Sequence, residues 1–274
     1  MQKLDKTYLF EEMPVMRAIF KLTIPVIISS IITIIYNLSD TYFVGMLNDP
    51  VQNAAVTLVG PAMVLFFAVT NLFGIGASSL MSRKLGEKKY DDVKRASATG
   101  LYLGFFCACV ISLVGFVFNP FVLKILGASE ITHDVTKQYM FWTVCLGAVP
   151  GIMNILFSFI LRAEGRSIIA SIGAMSGCLL NIILDPFFIL PFGLNMGAAG
   201  AGLATFIANC FACLYYLILI FVIRKKTLVS VNPKYFTLRA YIIKDIFVVG
   251  VPGVFQNILN VVGMTRLNNI ASGY

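Results

Sequence analysis

Long apolar stretches dominate the hydrophobic pattern of this chain, and short polar segments separate them. Six stretches reach the length of about 20 residues that a helix needs to cross a lipid bilayer. They cover residues 19–44, 54–81, 96–118, 135–161, 168–190 and 196–223, and a seventh begins near Ile242. Transmembrane β-strands would instead give alternating segments of about 10 residues. The pattern predicts an all-α membrane protein, a six-helix transmembrane bundle followed by a seventh helix.

Composition supports the same class of protein. Of the 274 residues, 58% are hydrophobic and only 12% are charged, whereas soluble domains carry about 25% charged residues. So little polar surface cannot cover a globule in water. The lipid bilayer is therefore the expected partner of the apolar surface.

The positive charges are distributed by side of the membrane. Of the 21 Lys and Arg residues, all but Lys124, Lys137 and Arg266 lie around the start of the first stretch or between stretches two and three, four and five, and six and seven. The positive-inside rule places these segments in the cytoplasm. We expect a multi-pass protein of the cell (inner) membrane whose amino terminus, which contains Lys3 and Lys6, is cytoplasmic. We expect no nucleic-acid partner.

Cysteine and histidine give no sign of catalysis. The cysteines all lie within apolar stretches, where a free thiol behaves as a small apolar group: Cys107, Cys109, Cys145, Cys178, Cys210 and Cys213. The single histidine, His133, lies in a predicted outer loop without a cluster of partners. We predict neither enzyme activity nor a resident cofactor, because an intramembrane enzyme needs a nucleophile with its base or a set of metal ligands.

A basic segment divides the chain. We predict a six-helix bundle over residues 1–230, and a basic linker with the first helix of an incomplete second bundle over 231–274. Pro25 and Pro252 occupy similar positions near the start of the first and seventh stretches, and repeated six-helix halves build many secondary transporters. The chain also ends at Tyr274, close to the end of the seventh stretch. We expect it to be part of a twelve-helix, two-bundle transporter, with the second bundle as partner.

Two carboxylates in the apolar stretches are the candidate chemistry, because Asp at the bilayer centre costs about 2.5–3.5 kcal/mol. Asp40 lies near the outer end of the first helix, and Asp185 lies near the outer end of the fifth. A helical rise of about 1.5 Å per residue gives them a similar depth, so they can share one site. The alternatives are that Asp40 lies among the lipid headgroups and that Asp185 caps its helix before Pro186.

Spacing adds two neutral oxygen ligands to this site. Asn181 precedes Asp185 by one helical turn and shares its face, and Thr205 lies roughly 12 Å below the start of the sixth helix. Together Asp40, Asn181, Asp185 and Thr205 offer the oxygen ligands that a hard cation such as Na⁺ prefers. Two close carboxyl groups can equally share a proton. The predicted coupling ion is therefore Na⁺ or H⁺.

Several short motifs along the whole chain resemble, in their order and spacing, those of the multidrug and toxic compound extrusion (MATE) family. The matching elements are Ile24-Pro25, Tyr-Asn-Leu-Ser-Asp at 36–40 with Gly45, Gly-Ile-Gly-Ala at 74–77 with Gly86, Asn181 with Asp185-Pro186, and the Gly- and Ala-rich segment 197–205. The resemblance implies a two-bundle antiporter that exports organic cations and drugs. Its substrates would be small cationic amphiphiles, driven by a sodium or proton gradient.

The resemblance also implies roles for particular residues. The coupling residues of the family branch that couples through its first bundle map onto Asp40, Asn181, Asp185 and Thr205. Tyr36 and Asn37 would line the adjacent substrate cavity.

Two further expectations follow from the resemblance. Some relatives carry a glutamate in helix seven, where this chain has Gln256 and Asn257, so coupling through the second bundle is not expected from this helix. The alternative function is a flippase for a lipid-linked saccharide of the related superfamily. Its cavity would be rich in Arg and Lys, whereas the membrane-depth charges here are mainly acidic, with Arg266 as the exception.

Overall fold

The computed structural model describes residues 13–271, with side chains described as far as Leu259. Lys3 and Lys6 of the charge pattern, the side chain of Arg266 and residues 272–274 lie outside this part of the chain. Within it, every element of regular secondary structure is a helix.

Seven membrane-length helices follow one another in the described range. They are α1 (Val15–Gly45), α2 (Pro50–Thr70, Asn71–Ile75 and Gly76–Gly86), α3 (Tyr90–Val117), α4 (His133–Leu146 and Ala148–Ala163), α5 (Ser167–Ile189), α6 (Ala198–Val222) and α7 (Ala240–Ala271). A short helix, Asn119–Ile125, precedes α4, and a 3₁₀ turn, Pro233–Tyr235, precedes α7. Each span is long and apolar enough to cross a membrane, provided that the two parts of α4 count as one span. The predicted fold class, a helical membrane bundle with a seventh helix, is confirmed.

Helix boundaries differ from the apolar pattern where polar residues belong to a helix. The third helix begins at Tyr90 rather than near residue 96, with Asp91 and Asp92 in its first turn, where carboxylates stabilise the positive end of the helix dipole.

The fifth helix continues through Pro186 to Ile189. Asp185 therefore lies inside α5, and the alternative that it caps the end of this helix is wrong.

The fourth helix is not the straight span expected over residues 135–161. Its two parts are bent by 47°, and a π-helical turn, Phe141–Leu146, precedes the bend. A π turn inserts an extra residue into the helical repeat and is a recognised cause of kinks. Gly147 occupies the bend because a Cβ atom there would overlap the carbonyl oxygen of Thr143.

The core of the bundle surrounds α5, which packs between α1 and α6 and also contacts α4. Small residues bring α5 and α6 together: a Cβ atom on Gly177 would lie 3.1 Å from that of Ala212. The ring of Tyr216 covers Gly173, and its hydroxyl donates to the carbonyl oxygen of Ala170 at 2.5 Å. Helix α1 packs chiefly against α5, so only one face of α1 is covered in the described part of the chain.

The segment between α6 and α7 is docked on α3. Thr99, which is fully buried, donates to the carbonyl oxygen of Thr237 at 3.1 Å and accepts from its N–H at 3.3 Å. Ser97 accepts from the N–H of Ser230 at 3.1 Å, and Tyr102 donates to the carbonyl oxygen of Val231 at 2.8 Å. This segment, residues 223–239, which we call the strap, is therefore held against α3 by these hydrogen bonds.

A buried glutamate fixes the start of this strap. Glu164, only 1% exposed at the end of α4, accepts from the hydroxyl of Thr227 at 2.5 Å and from the N–H of Leu228 at 2.6 Å. Arg166 donates to the same carboxylate at 3.0 Å. This cluster ties the α4–α5 turn to the strap. The proposed division into residues 1–230 and 231–274 stays a prediction.

Candidate ion-coupling site

Helices α1 and α5 run side by side in a register that brings their acidic residues together. The hydroxyl of Thr33 lies 3.7 Å from the thiol sulfur of Cys178. Asp40 and Asp185 each follow these residues by seven positions, which is about two helical turns and returns to the same face. The two carboxyl groups interact electrostatically across the interface.

Asp185 is the most deeply buried member of the site. Its exposed fraction is 0% and that of Asn181 is 1%. With the amide nitrogen facing the carboxylate, Asn181 donates to Oδ2 of Asp185 at 3.0 Å and accepts from the N–H of Thr205 at 3.0 Å. The amide oxygen in this orientation is also 3.3 Å from the hydroxyl oxygen of Thr205. Asn181 therefore connects α5 to α6 and holds the carboxylate of Asp185 in place.

Asp40 lacks the support that Asp185 receives. Its side chain is half-buried, and its Oδ1 atom has no hydrogen-bond partner among the described residues. An acceptor removed from water without a donor is costly unless a proton, a cation or a water molecule satisfies it. Because the Asp185 carboxylate lies nearby, a positive charge would satisfy both groups at once.

Two tyrosines complete the cluster. The hydroxyl groups of Tyr36 and Tyr139 both lie near the two carboxyl groups. Tyr36 lies one turn before Asp40 on α1, as the sequence led us to expect. Tyr139, 8% exposed on α4, was not among the expected site residues. Only its position inside an apolar stretch could have indicated it.

The expected substrate residues separate in the structure. Tyr36 belongs to the acidic cluster, whereas Asn37 lies on the exposed face of α1. Both assignments to a substrate cavity stay predictions, as do the ion-coupling roles of Asp40, Asn181, Asp185 and Thr205. What the structure adds is that these four side chains occupy one place, where α1, α5 and α6 meet.

Comparisons with known proteins identify the family. The MatE family profile matches residues 25–187. The multidrug export protein MepA of Staphylococcus aureus (strain MRSA252) is 33% identical over 263 residues, which is 96% of this chain and 57% of MepA. MepA of Staphylococcus saprophyticus is 31% identical over 270 residues, 98% of this chain and 59% of that protein. The chain thus spans less than two thirds of the length of these relatives.

Solved structures show the same fold. One, described as an outward-facing conformation of a multidrug resistance MATE family transporter of the MOP superfamily, is 28% identical and matches with a TM-score of 0.85 over 92% of this chain and 55% of its own. A MATE structure in the straight conformation, also 28% identical, matches with a TM-score of 0.85 over 93% of this chain and 56% of its own. With a family profile that covers more than half of the chain, these similarities show that it belongs to the MatE (MATE) family of multi-pass α-helical membrane transporters.

Proposed function

We propose that the protein containing this chain is an ion-coupled antiporter that exports organic cations and drugs across the cell membrane. The observation that supports it most directly is the fully buried Asp185 beside the unpartnered Oδ1 of Asp40. A carboxylate pair at membrane depth is expensive to keep and is typical of ion pathways in transporters. The relatives named multidrug export proteins support export as the direction and drugs as the cargo.

The coupling ion would bind between the two carboxyl groups. If it is Na⁺, Asp40, Asp185 and the hydroxyl of Thr205 supply hard oxygen ligands, the kind that such a cation prefers. If it is H⁺, the two carboxyl groups share it. In either case Asn181 acts by orienting Asp185, because its amide bonds are already made to Asp185 and Thr205.

Exchange of the ion for the substrate would follow because both positive charges compete for the same carboxylates. A cationic substrate beside Tyr36 and Asn37 would be attracted by the carboxylates, and an ion bound between them would cancel part of that attraction. At a separation of about 6 Å and an effective dielectric constant of about 20, one unit charge changes the binding free energy by about 3 kcal/mol. That difference corresponds to about a hundredfold change in affinity, enough to link the two fluxes.

Orientation and partners form part of the same proposal. The basic loops support a cytoplasmic position for the amino terminus and the strap. The acidic cluster, near the other ends of α1 and α5, would then face the outside. A second six-helix bundle would complete the translocation pathway beside the exposed face of α1. The protein acts as a transporter and not as an enzyme.

Ethidium efflux from cells that express the full-length protein tests this function. We expect the wild-type protein to export the dye, and Asp40→Asn and Asp185→Asn to lose export at normal membrane levels, because each removes charge from the ion site. Comparison of sodium-rich with sodium-free medium identifies the ion. Asp91→Asn is the matched control, since its side chain is 80% exposed, and it should export normally.

Two outcomes would contradict the proposal. If the wild-type protein exports no cationic dye, the antiporter function is wrong and the flippase for a lipid-linked saccharide becomes the better hypothesis. If Asp40→Asn and Asp185→Asn both export normally, the function stands but the ion site has been assigned to the wrong residues.

A further inference from the structure

A row of polar side chains leads from the acidic cluster towards the basic side of the bundle. Thr205 belongs to the site that contains the cluster, and Asn209 follows it by one helical turn on the same face of α6. The side-chain amide of Asn154 on α4 donates to Oδ1 of Asn209 at 2.9 Å. Ser158 and Arg162 follow Asn154 by one and two helical turns, so they lie on the same side of α4. We call Thr205, Asn209, Asn154, Ser158 and Arg162 the polar track.

Packing places the polar track inside the bundle. Helices α4 and α6 contact each other, and a Cβ atom on Gly151 of α4 would lie 3.7 Å from the amide nitrogen of Asn209. Ser158 is only 6% exposed. The hydroxyl of Tyr216, a fully buried residue of α6, lies near both Ser158 and Arg162. The track therefore follows the α4–α6 interface rather than the surface that faces lipid.

The inner part of the track contains polar atoms without protein partners. Oγ of Ser158 and Nε of Arg162 are buried, and neither has a hydrogen-bond partner among the described residues. The nearby Tyr216 hydroxyl is directed to the carbonyl oxygen of Ala170, to which it donates at 2.5 Å. Buried polar atoms in this situation are usually satisfied by water. A hydrated α4–α6 interface would connect the acidic cluster to the basic side.

Arg162 brings a positive charge to the inner end of this route. It lies in the last turn of α4, and a guanidinium stays protonated in proteins. Glu164 follows it in the sequence, but residues two positions apart do not face each other on a helix, and Glu164 pairs with Arg166 at 3.0 Å. In the described part of the chain, the charge of Arg162 is therefore not cancelled by an ion pair.

From this arrangement we propose that Arg162 is an electrostatic plug of the first bundle, whose charge stops the coupling cation at the acidic cluster from leaking along the polar track to the basic side. The inference rests on the proposed function, because it requires a coupling ion at Asp40 and Asp185. An ion that crosses without exchange for substrate would dissipate the gradient that drives export. At about 6 Å and an effective dielectric constant of about 20, one unit charge repels a cation strongly enough to slow its passage about a hundredfold.

Ion uptake into liposomes that contain the full-length protein tests the plug. Without any drug substrate, an imposed sodium or proton gradient should drive little uptake through the wild-type protein. In Arg162→Gln, which keeps hydrogen-bond donors but loses the charge, we expect uptake of the coupling ion to become at least about tenfold faster. Arg162→Lys keeps the charge and should leak no more than the wild type. Addition of Asn209→Leu to Arg162→Gln should return the leak to the wild-type rate, because it interrupts the track.

A second variant neutralises the charge without removal of the arginine. Ser158→Asp places a carboxylate one turn before Arg162, where the two side chains can form an ion pair, and should also raise the leak at least about tenfold. It tests the plug even if Arg162→Gln does not fold. The matched control is Arg224→Gln at the exposed end of α6, where the guanidinium carbon lies 4.9 Å from the centre of the Phe221 ring. It removes the same charge outside the track and should leave the leak unchanged.

Three results would overturn the plug. They are an unchanged leak in either Arg162→Gln or Ser158→Asp at normal protein levels, a leak in Arg162→Gln that Asn209→Leu does not reduce, and an equal leak in Arg162→Lys and Arg162→Gln. The last result would mean that the shape of the guanidinium matters and its charge does not.

Ethidium export by the wild-type protein separates failure of the plug from failure of the proposed function. Dye export with no leak in either variant would contradict the plug alone. A leak in both variants without dye export by the wild type would contradict the drug antiporter and leave the plug in place.

Discussion

At the scale of single residues, Asn181 has the most constrained position in the candidate site. Its spacing from Asp185 placed both on one helical face, and the structure confirms that they are in contact at 3.0 Å. The bond from Asn181 to the backbone of Thr205 could not be predicted, because the register between α5 and α6 depends on the packing of Gly177 against Ala212. Helical spacing indicates which residues share a face but not which faces meet.

Replacement of Asn181 by Leu should change ion binding. Leu has nearly the same shape but cannot donate to Asp185, and loss of a partner in a buried site costs about 1–3 kcal/mol. If the ion is Na⁺, we therefore expect the sodium concentration for half-maximal efflux to rise by a factor of roughly 5 to 150. If the ion is H⁺, loss of the donated hydrogen bond tightens proton binding, and half-maximal efflux should move to higher pH. The measurement is dye efflux against sodium concentration and pH. Asn53→Leu, at an exposed position of α2, should leave that concentration unchanged, and an unchanged value in Asn181→Leu would remove Asn181 from the site.

Tyr139 shows where residue-level prediction from the sequence failed. Tyr139, on α4, lies near Asp40 and Asp185, although nothing in its sequence neighbourhood distinguishes it from other tyrosines in apolar stretches. Its place in the cluster depends on the bent path of α4, which the apolar pattern concealed.

At the scale of helices, close packing depends on particular glycines. Gly173 on α5 lies under the ring of Tyr216, and a Cβ atom there would overlap that ring. Gly86, at the end of α2, has no atom within 4 Å of such a Cβ. The two positions therefore respond differently to the same substitution.

We expect Gly173→Ala to lower the midpoint of thermal unfolding in detergent. Overpacking costs about 1–3 kcal/mol, which exceeds the gain of up to about 1 kcal/mol in helix propensity from Gly to Ala. Gly86→Ala should leave the midpoint unchanged or raise it slightly. Equal midpoints for Gly173→Ala and the wild type would mean that Tyr216 can move aside freely.

The buried Glu164 is another feature of the helix ends that sequence reasoning missed. A glutamate beside Arg166 in a basic loop looks like an exposed ion pair, yet it is 1% exposed and accepts hydrogen bonds from Thr227 and Leu228. These partners lie more than 60 positions away in the chain. Local patterns carry no information about such contacts.

Glu164→Gln should release the start of the strap. The amide keeps one acceptor but loses the charge that strengthens the bonds from Arg166 and Leu228, at a cost of about 2 kcal/mol. Amide hydrogen exchange over residues 226–229 should then become roughly 30-fold faster, since local opening sets its rate. Glu130→Gln, on an exposed loop, is the control. If exchange at 226–229 does not change, the strap is held by its contacts with α3 alone.

For the whole molecule, the order of the helices followed from the apolar pattern, but their shape did not. Seven spans arose where the sequence predicted them, because a bilayer sets both their length and their composition. The π turns at Asn71–Ile75 and Phe141–Leu146 could not be predicted. Every residue around them is compatible with an ordinary helix, and an inserted residue shows only once neighbouring helices are packed. The docked strap was missed for the same reason.

The distribution of Lys and Arg residues that predicts a cytoplasmic amino terminus can be tested by labelling. Lys137 at the start of α4 and Lys234 in the strap are both exposed and lie on opposite sides of the bundle. The positive-inside rule places Lys137 outside the cell and Lys234 in the cytoplasm. In a cysteine-free background, a membrane-impermeant maleimide should label Lys137→Cys on intact cells.

Lys234→Cys should react only after the cells are permeabilised. The two variants control for each other, because both side chains are accessible and differ only in the side of the membrane. The reverse labelling pattern would place the acidic cluster at the cytoplasmic surface. The helical fold would be unaffected, but the ion would then reach Asp40 and Asp185 from the cytoplasm.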